Sequence, residues 1–256
     1  MTGHDTALRR VTAEGLLLAG GGRATLLQIA HPLVARGVYE HSDFAARPLT
    51  RLRSTLLYSY AVLFGSAAEA EKMSRFVRAM HSRVRGPGYA ADDPALLVWV
   101  NATLYDTAML LYQRTFGPLS EADADECHRR YSVVATSIGC PPDAWPPDRA
   151  AFARYYDDML ASLRVGAEAR EIAGALLSTS TLPIALRPIQ PLVRFVTVGL
   201  LPEPVRAGYG FRWTARQQRR LDRALSVTAA VYPRLPARLR HLPKDWSLAE
   251  LRRPRS

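Results

Sequence analysis

His81 stands on the apolar face of a predicted helix, where a polar ring needs a partner. Val77 lies four residues before it and Val84 three residues after it, which is the spacing of an amphipathic helix. Arg78 and Arg85 flank the ring along the same helix. A neutral imidazole between helices is a candidate iron ligand, and two guanidinium groups beside it suit the propionates of a porphyrin. A hydrogen-bonded core histidine is the structural alternative.

Arg51 and Thr55 form a second candidate pair within the sequence RLRST. Because they are four residues apart, they share one face of the helix that precedes the His81 helix. With a porphyrin between the two helices, their guanidinium and hydroxyl groups would line the side opposite His81 and hydrogen-bond to dioxygen or a peroxide. The alternative is a partly exposed arginine and a threonine that bonds its own helix.

Side chains that often bind metals are concentrated between residues 31 and 43. They include His31, Glu40 and His41, and the tripeptide His41-Ser42-Asp43 resembles the H-x-D half of a facial triad for non-haem iron. Such triads usually stand on a β-barrel, for which this chain offers no strands. In the alternative interpretation Ser42 or Asp43 caps a helical turn and His41 makes a structural hydrogen bond.

Polar residues interrupt an otherwise apolar helix predicted at 95–115. Asn101, Thr103, Asp106 and Thr107 all lie within WVNATLYDTAML. Buried polar groups must be paired, so we expect either a hydrogen-bonded network or the wall of a pocket. Asp106 is expected to pair with an arginine or to orient a histidine.

The run Gly20-Gly21-Gly22-Arg23 invites comparison with a phosphate-binding loop. It lacks the preceding strand and the following Lys-Ser/Thr pair that a P-loop requires. The glycines are instead predicted to separate two helices.

Helical periodicity extends along the chain, and alternating strand-like runs between hairpin turns are missing. Strong helices are predicted at 23–39, with Pro32 as a kink or boundary, and at 49–64, 66–85, 95–115 and 120–138. The proline-rich loop at 139–148 is interpreted as a connection within one domain. We therefore expect an all-α fold with a single globular domain over residues 1–256.

Composition indicates a folded protein rather than a disordered one, since 48% of the 256 residues are hydrophobic. The net charge is +11, but outside two clusters at 216–223 and 234–241 the basic residues are scattered. No nucleic-acid-binding signature is present, so no nucleic-acid partner is expected. Cys127 and Cys140 are the only cysteines, which suits a reducing compartment. No export signal or membrane-spanning run is recognised, so we expect a cytoplasmic protein without a transmembrane segment.

Four segments occur in an order that resembles one known family. They are GGGRATLLQIAHPLVARGVYEHSDF, the RLRSTL helix, the VRAMHSRVR helix and LLVWVNATLYDT. This order is similar to that of the bacterial oxygenase-like family related to latex-clearing rubber oxygenases and to the fungal oxygenase of mycophenolic acid biosynthesis. The resemblance covers residues 15–240, which we take as the core of the domain.

The resemblance implies a globin-like helical core that holds one non-covalent haem b. It assigns the proximal iron ligand to His81 and a distal pair to Arg51 and Thr55. The implied activity is that of a haem b-dependent oxygenase, which combines dioxygen with a small apolar substrate such as an alkene and can require an electron donor. The further candidate contacts to the cofactor are Arg78, Arg85, His31 and His41.

Three other interpretations stay open at this point. The chain could bind haem or another small ligand without turnover. It could be a non-haem metal oxygenase that uses His31, Glu40 and His41. It could also be a basic helical protein that binds a membrane surface through its arginine-rich C-terminal helix.

Overall fold

The computed structural model describes residues 6–41, 48–178 and 184–253, and it confirms the all-α class. Fourteen α-helices lie within these residues, and short 3-10 turns join several of them. Their bounds are α1 Ala7–Thr12, α2 Gly21–Ile29, α3 Pro32–His41, α4 Pro48–Phe64, α5 Ala67–His81, α6 Pro94–Phe116, α7 Glu121–Thr136, α8 Arg149–Ser162, α9 Ala167–Leu176, α10 Gln190–Leu200, α11 Glu203–Gly208, α12 Ala215–Val231, α13 Ala237–Arg240 and α14 Leu242–Arg252. Whether this core is globin-like stays a prediction.

Local sequence signals explain where the helices around the site begin. Ser66 and Glu69 form a reciprocal capping box at the start of α5. Asp93 accepts a hydrogen bond from the backbone N–H of Ala95 at 2.8 Å, and Pro94 occupies the first position of α6. The expected boundary at Pro32 is also confirmed, because α2 ends at Ile29 and α3 begins at the proline.

The helix that carries His81 is shorter than predicted, since it ends at His81 and not at Arg85. The chain then forms a small antiparallel hairpin of β1 Arg85–Gly86 and β2 Tyr89–Ala90, the one sheet in the described part of the chain. A Cβ on Gly86 would stand 2.4 Å from the Tyr89 ring, and Gly88 has a φ of +81°. These two glycines allow the tight turn. Because of this turn, Arg85 lies in the hairpin and not in the predicted helix.

The core is built around α6, whose buried residues include Trp99, Asn101 and Thr103. Helix α2 packs against α6, and α10 packs against α2. Helices α4 and α5 lie side by side as an antiparallel pair next to this centre. The contiguous apolar cluster reaches from Ala7 in the first helix to Tyr209.

The glycine run at the start of α2 permits close helix packing. A Cβ on Gly20 would stand 2.3 Å from Cγ2 of Thr107 on α6. A Cβ on Gly22 would stand 2.3 Å from Oγ1 of Thr197 on α10. Both distances are far inside van der Waals contact, so only glycine allows α2 to approach both neighbours.

Gly22→Ala is therefore expected to lower the free energy of unfolding by about 1–3 kcal/mol, as overpacking of a filled core does. Gly174→Ala is the matched control, because Gly174 lies in the last turn of helix α9 and a Cβ there meets nothing within 4 Å. That control should instead stabilise the protein by about 0.5–1 kcal/mol. Urea unfolding of the three proteins measures both effects, and equal stabilities would contradict the packing argument.

In the described part of the chain, the helix Pro94–Phe116 is long and apolar enough to cross a membrane. Two thirds of its most apolar window, 67%, is buried inside the protein. The central helix of a soluble protein passes the same test, so this helix is weak evidence for a membrane span.

Candidate functional site

A largely apolar cavity of about 500 Å³ lies between α2, α3, α4, α5, α6 and α10. This volume is within the usual range of ligand sites, about 300–1,000 Å³. Its apolar walls come from side chains of α3, α4, α5, α6 and α10 and from Val84 after α5. They include Leu33, Val34, Leu52, Met73, Val77, Met80, Val84, Leu97, Leu104 and Val193.

His81 lines this cavity from the last residue of α5. Its Nδ1 atom is buried and has no hydrogen-bond partner among the described residues. Burial lowers the pKa of His81, the charge of Arg51 lowers it further, and Asp92 opposes the shift. The imidazole is therefore held in its neutral form, which is the form that binds a metal ion.

Arg51 and Thr55 line the same cavity from α4, as their four-residue spacing predicts. Burial lowers the pKa of the Arg51 guanidinium, although such a group stays charged at any ordinary pH. Its charge is close enough to shift the pKa of His81. Two adjacent helices thus place the neutral imidazole of His81 and the guanidinium cation of Arg51 in one apolar cavity.

Arg78 and Arg85 do not line the cavity. Arg78 donates to the backbone carbonyl of Ser137 at 2.5 Å and to Glu71 at 3.0 Å. Arg85, displaced by the end of α5, donates to Asp92 at 2.5 Å and to the carbonyl of Ser82. Both guanidinium groups are engaged by the protein, so their assignment to a cofactor stays a prediction.

The two other candidate histidines differ in position. His41 lines the cavity, and its Nε2 atom lies 2.9 Å from the Tyr89 hydroxyl and 3.1 Å from the carbonyl of Arg85. His31 does not line it. The Nδ1 atom of His31 is buried without a hydrogen-bond partner among the described residues, and burial lowers the pKa of the ring.

The residues proposed for a non-haem metal do not form a ligand set. Within residues 6–41, 48–178 and 184–253, no three His, Cys, Asp or Glu side chains come together in a group that could hold a metal ion. Glu40 accepts hydrogen bonds from Arg36 at 2.8 Å and from the Tyr89 hydroxyl at 2.5 Å. Ser42 and Asp43 lie outside the described residues. These two side-chain hydrogen bonds account for the Glu40 carboxylate without a metal.

Arg23 is a buried residue that the sequence interpretation missed. Its Nη2 atom lies 2.7 Å from Asp106, its Nη1 atom donates to Thr107 at 2.5 Å, and its Nε atom donates to the carbonyl of Leu200 at 2.8 Å. The expected arginine partner of Asp106 is thereby confirmed. The sequence signal that could have indicated its burial was the position of this charged residue directly before the apolar run ATLLQIA.

Arg23→Met is expected to cost about 3 kcal/mol of folding free energy, because it leaves the Asp106 carboxylate without its cation, and a hydroxyl and a carbonyl without their donor. The Arg23 side chain is only 5% exposed and that of Asp106 is 28% exposed. Arg149→Met is the matched control, since that exposed arginine pairs with Glu121 and Asp125 at the surface. The control should cost less than about 1 kcal/mol. Urea unfolding measures both, and similar costs would contradict the buried network.

The sequence of this chain matches the family described as "ER-bound oxygenase mpaB/B'/Rubber oxygenase, catalytic domain" over residues 8–230. The chain belongs to this oxygenase family. The resemblance seen in the four ordered segments is thereby confirmed, and so is an oxygenase-like function at the level of the family. His81, Arg51 and Thr55 all lie within the matched residues.

Two mycobacterial proteins are similar in sequence to this chain. "Uncharacterized protein Rv2237" of Mycobacterium tuberculosis is 32% identical over 212 residues, which cover 79% of this chain and 83% of the relative. "Uncharacterized protein Mb2261" of Mycobacterium bovis matches with the same identity and coverage. No solved structure matches the chain.

Proposed function

We propose that this oxygenase-family protein is a haem b-dependent oxygenase that acts on a small apolar, unsaturated substrate with dioxygen. One observation carries the proposal: a neutral imidazole with an unpartnered Nδ1 atom, His81, lines the same apolar cavity as the guanidinium of Arg51. A bound haem would supply an iron centre that activates dioxygen. A cytoplasmic location and an electron donor belong to the same proposal.

The residues around His81 fit a large planar apolar group. Phe76 and Met80 line the cavity on the same helix, yet they are 52% and 49% exposed. Covering such side chains with an apolar ligand is favourable, by about 25 cal/mol for each Å² removed from water. His81 would hold the iron, while Val77 and Val84 would contact the ring.

The residues on α4 supply the polar chemistry of the proposed site. Arg51 would donate hydrogen bonds where negative charge develops on the reacting oxygen atoms, and in an apolar cavity this is worth more than in water. Thr55, one turn further along the helix, would add a hydroxyl donor. The surrounding apolar side chains would exclude water and hold the substrate beside these donors.

The proposal is tested by identifying the cofactor of the protein expressed with a haem precursor. Extraction of the purified protein with acidified solvent should release about one non-covalent haem b per chain. Iron or copper without porphyrin would favour the non-haem alternative. Haem without dioxygen consumption across a panel of alkenes would favour a protein that binds haem without turnover.

A further inference from the structure

Three amide side chains that the proposed reaction does not use line the cavity. They are Gln28 on α2, Asn101 on α6 and Gln190 on α10, and each is buried, with 7%, 2% and 4% of its surface exposed. Burying an amide in an apolar wall is costly unless its polar atoms find partners. The atoms of these amides that the protein leaves without a partner therefore determine which hydrogen bonds a ligand in the cavity can make.

In Gln28 the protein satisfies the nitrogen. Nε2 donates to the hydroxyl oxygen of Thr103 at 3.1 Å and lies 3.5 Å from the carbonyl of Val100. The Thr103 hydroxyl itself donates a hydrogen bond to the carbonyl of Val100 at 2.7 Å. Because the hydroxyl proton is already engaged in that hydrogen bond, the Thr103 oxygen can only accept from Gln28. This fixes the orientation of the Gln28 amide.

The other two amides follow the same pattern. Nδ2 of Asn101 donates to the carbonyl of Leu97 at 2.8 Å, and Nε2 of Gln190 donates to the carbonyl of Leu176 at 3.0 Å. A carbonyl can only accept, so each amide must present its nitrogen to the protein. In all three residues the side-chain oxygen accepts no hydrogen bond from the described part of the chain, yet it is not among the fully buried atoms without a partner. Because these residues line the cavity, their oxygens are available to a ligand bound there.

The three oxygens come from neighbouring walls. Helix α2, which carries Gln28, packs against both α6 and α10, the helices that carry the other two amides. The result is a group of hydrogen-bond acceptors in an otherwise apolar cavity, and we call Gln28, Asn101 and Gln190 the acceptor group. Acceptors bind a ligand that brings a proton to donate, and they repel a carboxylate.

We infer that the substrate is an apolar molecule that carries a neutral hydrogen-bond donor, most simply a hydroxyl group, held by the acceptor group. An ammonium group is disfavoured because the Arg51 cation lines the same cavity. The inference rests on the proposed function, since it names the substrate class for that same cavity. An enzyme for pure hydrocarbons would have no use for these acceptors, since such a substrate has no proton to donate.

The test compares two isomers that differ in the hydroxyl donor, octan-1-ol and 1-methoxyheptane, by isothermal titration calorimetry with the purified protein. Wild type should bind the alcohol about fivefold more tightly, as expected for the one net hydrogen bond that its hydroxyl proton can donate. In the Gln28→Met/Gln190→Met double variant this preference should fall to about twofold or less. Each single variant should lie between, and the single variants keep the test valid if the double variant does not fold.

Gln113→Met is the matched control. Gln113 also lies on α6 and its Nε2 atom also donates to a backbone carbonyl, that of Met109 at 3.4 Å, but it does not line the cavity. This variant should keep the full preference. Equal binding of alcohol and ether by wild type, or an unchanged preference in the double variant, would overturn the inference.

The outcomes also separate this inference from the proposed function. A protein that lacks haem and still prefers the alcohol upholds the acceptor group and overturns only the proposed function. A protein that holds haem but shows no preference overturns only the acceptor group.

Discussion

His81→Ala is expected to weaken haem binding by more than about 100-fold, because loss of residues that merely support a metal ligand already costs 10–100-fold. His81 lines the cavity and is held neutral by burial. Alanine removes the only histidine of α5. Haem titration of the apoprotein, followed by absorbance, gives the two dissociation constants.

His31→Ala is the matched control for this prediction. Its ring is also partly buried, and its Nδ1 atom likewise has no hydrogen-bond partner among the described residues, but it does not line the cavity. We expect the control to bind haem as wild type does. If His31→Ala lost the haem and His81→Ala kept it, the assignment of the iron ligand would be wrong.

Arg51→Met is expected to lower the turnover number by about 10²–10³-fold, as removal of a donor from a developing negative charge does. The substitution keeps an unbranched side chain in the cavity and removes the cation. Haem content should stay close to that of wild type, since the haem is held from α5. Dioxygen consumption per haem with an apolar alkene, at saturating substrate, measures the effect.

Arg53→Met controls for loss of a charge on the same helix. Arg53 is exposed, pairs with Glu250 of α14 and does not line the cavity. Its turnover should stay within about twofold of wild type, since exposed ion pairs contribute little. Equal losses in both variants would show that Arg51 acts through stability and not at the reacting atoms.

Helical periodicity was sufficient to find the elements that carry the candidate site. Arg51 and Thr55 share a face because they are one turn apart, and His81 follows the apolar residues of the next helix. Since α4 and α5 are consecutive and antiparallel, both faces reach one cavity. Local spacing and chain order therefore predict this part of the site.

Features that depend on distant contacts were not predictable in this way. The last turn expected for α5 is replaced by a hairpin, which moves Arg85 to the surface. The glycines before Arg23 are needed because Thr107 and Thr197 approach them from helices far along the chain. The acceptor group likewise assembles from α2, α6 and α10, and no window of sequence contains all three amides.

The absorption spectrum of the wild-type protein, expressed with a haem precursor and compared with His81→Ala, is the sharpest test of whether His81 holds a haem. We expect an intense Soret band in wild type that collapses in the variant, while circular dichroism shows that both are folded. A wild-type protein that is folded and fully supplied with haem, yet colourless, would contradict this role of His81.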